Sequence, residues 1–148
     1  MVEGIWMANQ ARAEKELNGT AAEAQKAAKI AAQLSAQAGL DKKAEDVRIL
    51  DVRGLASYTD FLVLMSAASE RQVNAVADAV DDQLRKAGHR PIGVEGQAAG
   101  NWILIDAGDV VVHVFLSEAR GFYDLDSLWS DAKRLTVEAP RQPVATAI

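Results

Sequence analysis

Asp51, Asp60, Asp106 and Asp109 are the residues of this chain most able to do chemistry, since carboxylates gathered by neighbouring strands can hold paired cations for phosphoryl transfer. Nothing in their spacing fixes such a convergence. A phosphate-cradling loop would need glycines between a strand and a helix, and Met65-Ser66-Ala67-Ala68-Ser69 has none. The chain has no cysteine, and its two histidines, His89 and His113, stand near no serine in an elbow motif, so no nucleophilic triad can be assembled. What remains is a constellation suited to recognition. Trp102, Leu104, Asp106, Asp109 and His113 alternate along one short stretch, mixing an aromatic anchor with acids and a titratable ring.

These residues need a sheet to position them. Val47-Arg48-Ile49-Leu50-Asp51-Val52 and Phe61-Leu62-Val63-Leu64-Met65 read as strands, rich in branched and aromatic side chains and separated by a loop. Ser69 with Gln72 three residues later marks a helix start, and Val73, Val76, Ala77, Val80, Leu84 and Ala87 keep helical spacing until Gly88. Residues 91–95 form a third expected strand, with Pro91 tolerable at its start. Residues 101–106 and 109–116 then flank Ala107-Gly108, which is hairpin spacing. Earlier, Thr20 and Glu23 have capping-box spacing before an apolar stripe of Ala24, Ala27, Ile30, Ala31, Leu34 and Ala38. After the hairpin, Ser117 and Asp124 are expected to cap two short helical turns, the second fading near Leu135. The reading is an α/β (α+β) fold, a mixed sheet of about five strands flanked by helices. Residues 1–19 are expected as a flexible leader, 20–135 as a single domain and 136–148 as a flexible tail.

With Ala107-Gly108 as a two-residue turn, Asp106 faces Asp109, Leu104 faces Val111 and Trp102 faces His113 on one side. Ile103, Ile105, Val110, Val112 and Val114 share the other side, which is core. The first side is too polar for a buried layer and too apolar for plain surface, so it reads as a binding face. A three-residue loop with a glycine bulge would instead pair Asp109, Val111 and His113 with Ile103 and Ile105 and dissolve that face. Taken singly, Trp102 reads as core, His113 as a satisfied structural histidine, and the two aspartates as turn formers.

Composition narrows the partner. The 148 residues carry 16 Lys and Arg against 21 Asp and Glu, a formal charge of -5, which suits a basic protein better than a phosphate backbone. The cations Lys42-Lys43, Arg48, Arg53, Arg71, Arg85-Lys86 and Arg90 are scattered among acids, leaving RNA contact at most auxiliary. Without cysteine a reducing compartment fits, and no apolar run approaches the roughly 20 residues of a membrane span, so a cytoplasmic location is expected.

Taken in order, Lys42-Lys43-Ala44-Glu45-Asp46, Leu50-Asp51-Val52-Arg53-Gly54, Thr59-Asp60-Phe61, Ser69-Glu70-Arg71-Gln72-Val73, Val94-Glu95-Gly96, the run from Trp102 to Phe115, and Tyr123-Asp124-Leu125 with Leu128-Trp129 resemble the ribosomal silencing factor (iojap-like) family. The resemblance covers residues 42–135, with Asp126 standing where many relatives have Glu. It implies a nucleotidyltransferase-like fold without the catalytic carboxylate set, no enzyme activity and no cofactor. It further implies binding to ribosomal protein number fourteen of the large subunit and hindrance of small-subunit joining, which damps translation when nutrients are short. Some relatives act in large-subunit maturation. Position by position, the contact falls to Trp102, Leu104, Asp106, Asp109, His113 and Phe115, with Glu95, Arg120 and Tyr123 beside them. An exposed apolar face would also suit a homodimer when unbound. The competing readings are a nucleotidyltransferase-like enzyme and a large-subunit assembly factor that contacts ribosomal RNA.

Overall fold

The computed structural model describes the backbone of residues 2–138 and the side-chain surroundings of residues 21–138. In chain order the elements are α1 (Val2–Asp41), β1 (Glu45–Asp51), β2 (Phe61–Ala67), α2 (Glu70–Lys86), β3 (Gly93–Glu95), β4 (Trp102–Asp106), β5 (Val110–Leu116), α3 (Ser117–Tyr123), α4 (Leu125–Leu128) and β6 (Lys133–Leu135). The strands form one sheet in the order β3-β4-β5-β2-β1-β6. β2 and β5 pair in parallel and every other neighbouring pair is antiparallel. The mixed sheet with flanking helices is the expected class, with one strand more. β6 escaped notice because Lys133-Arg134-Leu135 is short and polar, yet it pairs with β1 from Ile49 to Asp51.

The best-patterned helix forms as its sequence dictates. Ser69 Oγ accepts the Gln72 N–H at 3.2 Å, and Gln72 Oε1 accepts the Ala68 N–H at 2.9 Å, which satisfies donors left free at the start of α2. Glu70 in its first turn and Arg85 and Lys86 in its last complement the helix dipole. Val73, Val76, Ala77, Val80 and Leu84 are buried against the sheet.

The first helix departs from expectation in two ways. Its backbone is helical from Val2, through the segment expected as a leader, in line with the three Ala and three Glu there, which favour helix. Its buried face is also rotated from the predicted stripe. Ala28, Ala31, Ala32, Ser35 and Ala36 are buried, whereas Ile30 is 49% exposed and Leu34 only partly covered. Small side chains let the helix lie close on the sheet: a Cβ on Gly39 would come 2.4 Å from Met65 Sδ. Residues 136–138, expected as the start of a tail, are tied to this helix. The Gln33 side chain donates to the Thr136 carbonyl at 2.9 Å and accepts the Glu138 N–H at 3.0 Å, bracketing Val137 as it packs on the core. Residue 1 and the rest of the expected tail, 139–148, lie outside the described residues.

Two apolar layers result, one on each face of the sheet. α1 and α2 cover Ile49, Phe61, Val63, Met65, Ile103, Ile105, Val112 and Val114. The opposite layer is smaller: Leu50, Leu62, Leu64, Val111 and Phe115, with Ala132 and the partly buried Ala56, Trp102, Leu104, Ala119, Leu125 and Trp129. Each fully buried large apolar side chain contributes about 1.5–3 kcal/mol relative to exposure, so both layers matter to stability.

Of the two capping expectations after the hairpin, Ser117 is corrected, whereas Asp124 does stand at the N-cap position of α4 but without a side-chain cap bond. Ser117 is the first residue of α3 rather than its cap, and its hydroxyl donates to the Ala67 carbonyl at 3.0 Å, pinning the helix start to the end of β2. Asp124 sits between α3 and α4 with φ 49°, a left-handed conformation that aspartate tolerates, and its side chain accepts no cap bond.

Candidate docking face

The β4–β5 hairpin has a two-residue turn, displaced by one position from the predicted one. Ala107 pairs with Val110 through its N–H at 2.9 Å, leaving Gly108 and Asp109 at the centre, with Gly108 taking the positive φ of 84° that the turn requires. Trp102 therefore lies opposite Phe115, Leu104 opposite His113 and Asp106 opposite Val111. The slip is by two residues in the partner strand, so the predicted neighbours change while the strand residues keep their sides, and Asp109, expected opposite Asp106 on the binding side, falls in the turn instead. Trp102, Leu104, Asp106, Val111, His113 and Phe115 share one side, and Ile103, Ile105, Val110, Val112 and Val114 are core on the other.

An aromatic cluster organises that side. The Trp102 ring stacks on Phe115 at 5.1 Å between centroids and tilts against Tyr123 at 4.4 Å, while His113 and Phe115 stack at 6.0 Å. Trp102 Nε1 donates to His113 Nδ1 at 3.0 Å. An indole nitrogen can only donate, so Nδ1 is bare and the imidazole carries its proton on Nε2. Burial pushes the His113 pKa down from 6.5 to about 4, which keeps the ring neutral at ordinary pH.

The rim is open. Trp102 and Leu104 are half-buried, Tyr123 is 44% exposed, and beyond it Phe122 is almost wholly exposed. Beside Leu104 a groove of about 430 Å³ is lined by Tyr58, Ile92, Gly93, Glu95, Leu104, Asp106 and Val111. Tyr58 and Ile92 were missed by sequence reasoning. Tyr58 stands in a loop with no periodicity to mark it, and Ile92 falls within the expected third strand, whereas β3 starts one residue after it. Glu95 is exposed on the groove, and Asp106 accepts the Gly108 N–H at 2.9 Å while still lining it. Asp109 is exposed at the turn, and its carbonyl accepts the N–H groups of Asp60 and Phe61.

Three of the expected contact residues are placed beneath the surface. Phe115 is fully buried and His113 nearly so, which leaves them to support the face rather than touch a partner. Arg120 is buried too. Its guanidinium pairs with both carboxylate oxygens of Asp126 at 3.1 Å, donates to Ser66 Oγ at 2.9 Å, and also bonds the Asp46 carbonyl. Arg48 reaches the same Asp126 oxygen at 3.1 Å. Although burial opposes ionisation of Asp126, bonds and charge from Arg120, aided by Arg48, hold its carboxyl below the ordinary value. This network locks α3 and α4 against β1 and β2.

Of the carboxylates considered for metal chemistry, Asp51 is committed to Arg53, whose guanidinium meets it at 2.9 and 2.6 Å and lowers its pKa. Among the described residues no group of three or more histidines and carboxylates is placed to hold a metal ion. The arrangement is a half-open face, apolar at its centre and acidic at its edge.

Comparison with known proteins agrees in both sequence and fold. A family model described as ribosomal silencing factor during starvation matches residues 8–147. The ribosomal silencing factor of Bacillus subtilis is 39% identical over 99 residues, covering 67% of this chain and 84% of that protein. The chloroplastic Iojap protein of Zea mays is 37% identical over 100 residues, covering 66% of this chain but 42% of that longer protein. A crystal structure of a Chromobacterium violaceum protein superposes with a TM-score of 0.68 at 36% identity, covering 79% of this chain and 98% of that one.

Proposed function

The chain belongs to the ribosomal silencing factor family, and from that premise we propose that it represses translation by occlusion. In this reading the docking face binds ribosomal protein number fourteen of the large subunit, and the bulk of the domain then stands where the small subunit would join. The observation that supports it best is the face itself: Trp102, Leu104 and Tyr123 are left half-open beside a groove edged by Glu95 and Asp106. A partly desolvated tryptophan at the centre supplies affinity, whereas acids at the rim speed the approach of a basic partner and set its orientation. Blocking a surface needs no bond-making and no cofactor. The reading also places the protein in the cytoplasm, where the subunits meet; among the described residues no helix is long and apolar enough to cross a membrane.

Sedimentation with purified subunits tests this. The protein should migrate with the large subunit alone and lower the yield of joined ribosomes. Truncating an interface tryptophan typically costs about 2–4 kcal/mol, so Trp102→Ala should weaken binding roughly 30- to 1,000-fold. Glu95→Gln should change affinity far less and act mainly through the association rate at low salt. Migration with neither subunit, or an unchanged affinity in Trp102→Ala, would overturn the reading.

A further inference from the structure

We infer that His113 is a positioning residue for the docking face: its Nδ1 fixes the orientation of the Trp102 indole, so that this anchor offers a partner carbon edges and no hydrogen-bonding group. The inference rests on the proposed docking role of Trp102 and specifies its chemistry.

The argument begins with where His113 is held. It lies on β5 in mid-sheet, flanked by Leu104 on β4 and Leu64 on β2, with its ring stacked on Phe115 at an interplanar angle of 10°. The imidazole is therefore clamped on several sides. Trp102 sits at the open margin of the same cluster, and its Nε1, the one polar atom of its side chain, points inward to His113 at 3.0 Å. That bond fixes the rotation of the indole about its long axis, which stacking on Phe115 alone would leave free to flip.

Histidine makes such a site sensitive to acid, because burial disfavours its charged form, and an apolar residue of similar volume would pack without that sensitivity. The compensating gain is the acceptor. With the indole N–H satisfied internally, no donor is left facing the partner, and a partner surface that buries Trp102 need not supply a carbonyl or carboxylate to match it. The half-exposed neighbours Leu104 and Tyr123 are consistent with an apolar counterpart at the centre of contact and charge confined to its edge.

Two variants separate positioning from packing. His113→Leu keeps the volume and removes the acceptor; His113→Asn restores an oxygen near the Nδ1 position with less bulk. Losing the orienting bond should weaken large-subunit binding by about tenfold in His113→Leu without lowering its thermal midpoint at neutral pH, and His113→Asn should recover much of that affinity although it packs less well. A merely structural histidine would move stability and affinity together. In the free protein, the Trp102 indole N–H proton resonance, identified by its loss in Trp102→Phe, should shift in His113→Leu and return toward its original position in His113→Asn. An unmoved indole resonance, or wild-type affinity in His113→Leu while Trp102→Ala binds weakly, would overturn this inference and leave the docking face standing. Unchanged binding in Trp102→Ala would overturn both.

Discussion

Acid should expose the burden that His113 places on the fold. The group titrates near its ordinary 6.5 in the unfolded chain and at about 4 in the native one, because burial disfavours the imidazolium. Above pH 6.5 both states hold the ring neutral and nothing is lost. As the pH falls below 6.5 the unfolded chain takes up a proton that the native state refuses, so stability declines, and the decline ends near pH 4 where the native ring also protonates. At about 1.4 kcal/mol for each tenfold difference in proton affinity, the whole loss is about 3 kcal/mol. For a domain of this size that corresponds to roughly 6–12 °C in thermal midpoint. The assay is urea unfolding at a series of pH values for wild type and His113→Leu, read as the difference between their stabilities. Groups shared by the two proteins cancel in that difference, including Asp51 and Asp126, whose carboxyls are held below their ordinary 3.8. Wild type should lose about 3 kcal/mol more than the variant between pH 7 and pH 4, most of it by pH 4.5. Parallel curves would refute the reasoning, since they would mean that the ring is hydrated enough to charge where it stands.

Two further substitutions probe what holds the face in place. Gly96→Ala should destabilise by about 2 kcal/mol or more, because residue 96 has φ 90° and a Cβ there would lie 2.0 Å from the Trp102 carbonyl oxygen; a change within about 0.5 kcal/mol in urea unfolding would show that the β3–β4 connection yields easily. Arg120→Ala should cost about 3–5 kcal/mol, since it strands the Asp126 carboxylate and leaves Ser66 and the Asp46 carbonyl without their donor. A loss typical of surface positions, within about 0.5 kcal/mol, would mean that Arg48 alone can satisfy Asp126.

Much of this molecule could be read from the order of its residues, and the misreadings share a cause. The strands through the core, the α2 cap at Ser69 and the division of the hairpin into two faces all follow from local periodicity, which tertiary packing had no reason to override. The hairpin partners were misjudged because Gly108 can occupy either central position of a two-residue turn, and the choice between them alters pairing while the strand residues keep their sides. The α1 stripe was misjudged because hydropathy ranks Ile30 and Leu34 above alanine, while a helix lying close on a sheet selects small residues. Arg120 was expected at a contact on the family resemblance alone, and its use depends on Asp126 and Ser66, remote in sequence or without any pattern to announce them.

The unequal cover of the sheet explains why a face is available at all. One side receives two long helices, α1 and α2, and seals its apolar residues completely from Ile49 across to Ile105. Among the described residues the other side receives only α3, of seven residues, the four-residue α4 and connecting segments, and the Arg120–Asp126 network gathers these toward β1 and β2. At the β3–β4 margin Tyr123 covers part of Trp102, Trp102 and Leu104 stay half-buried among the described residues, and the exposed Ile92 and Tyr58 extend the apolar area outward. Trp102 and Leu104 add to the second apolar layer through their buried parts, whereas their open edges lie outside it. Those open edges, with the Trp102 indole held by the buried His113, are what the proposed partner would cover.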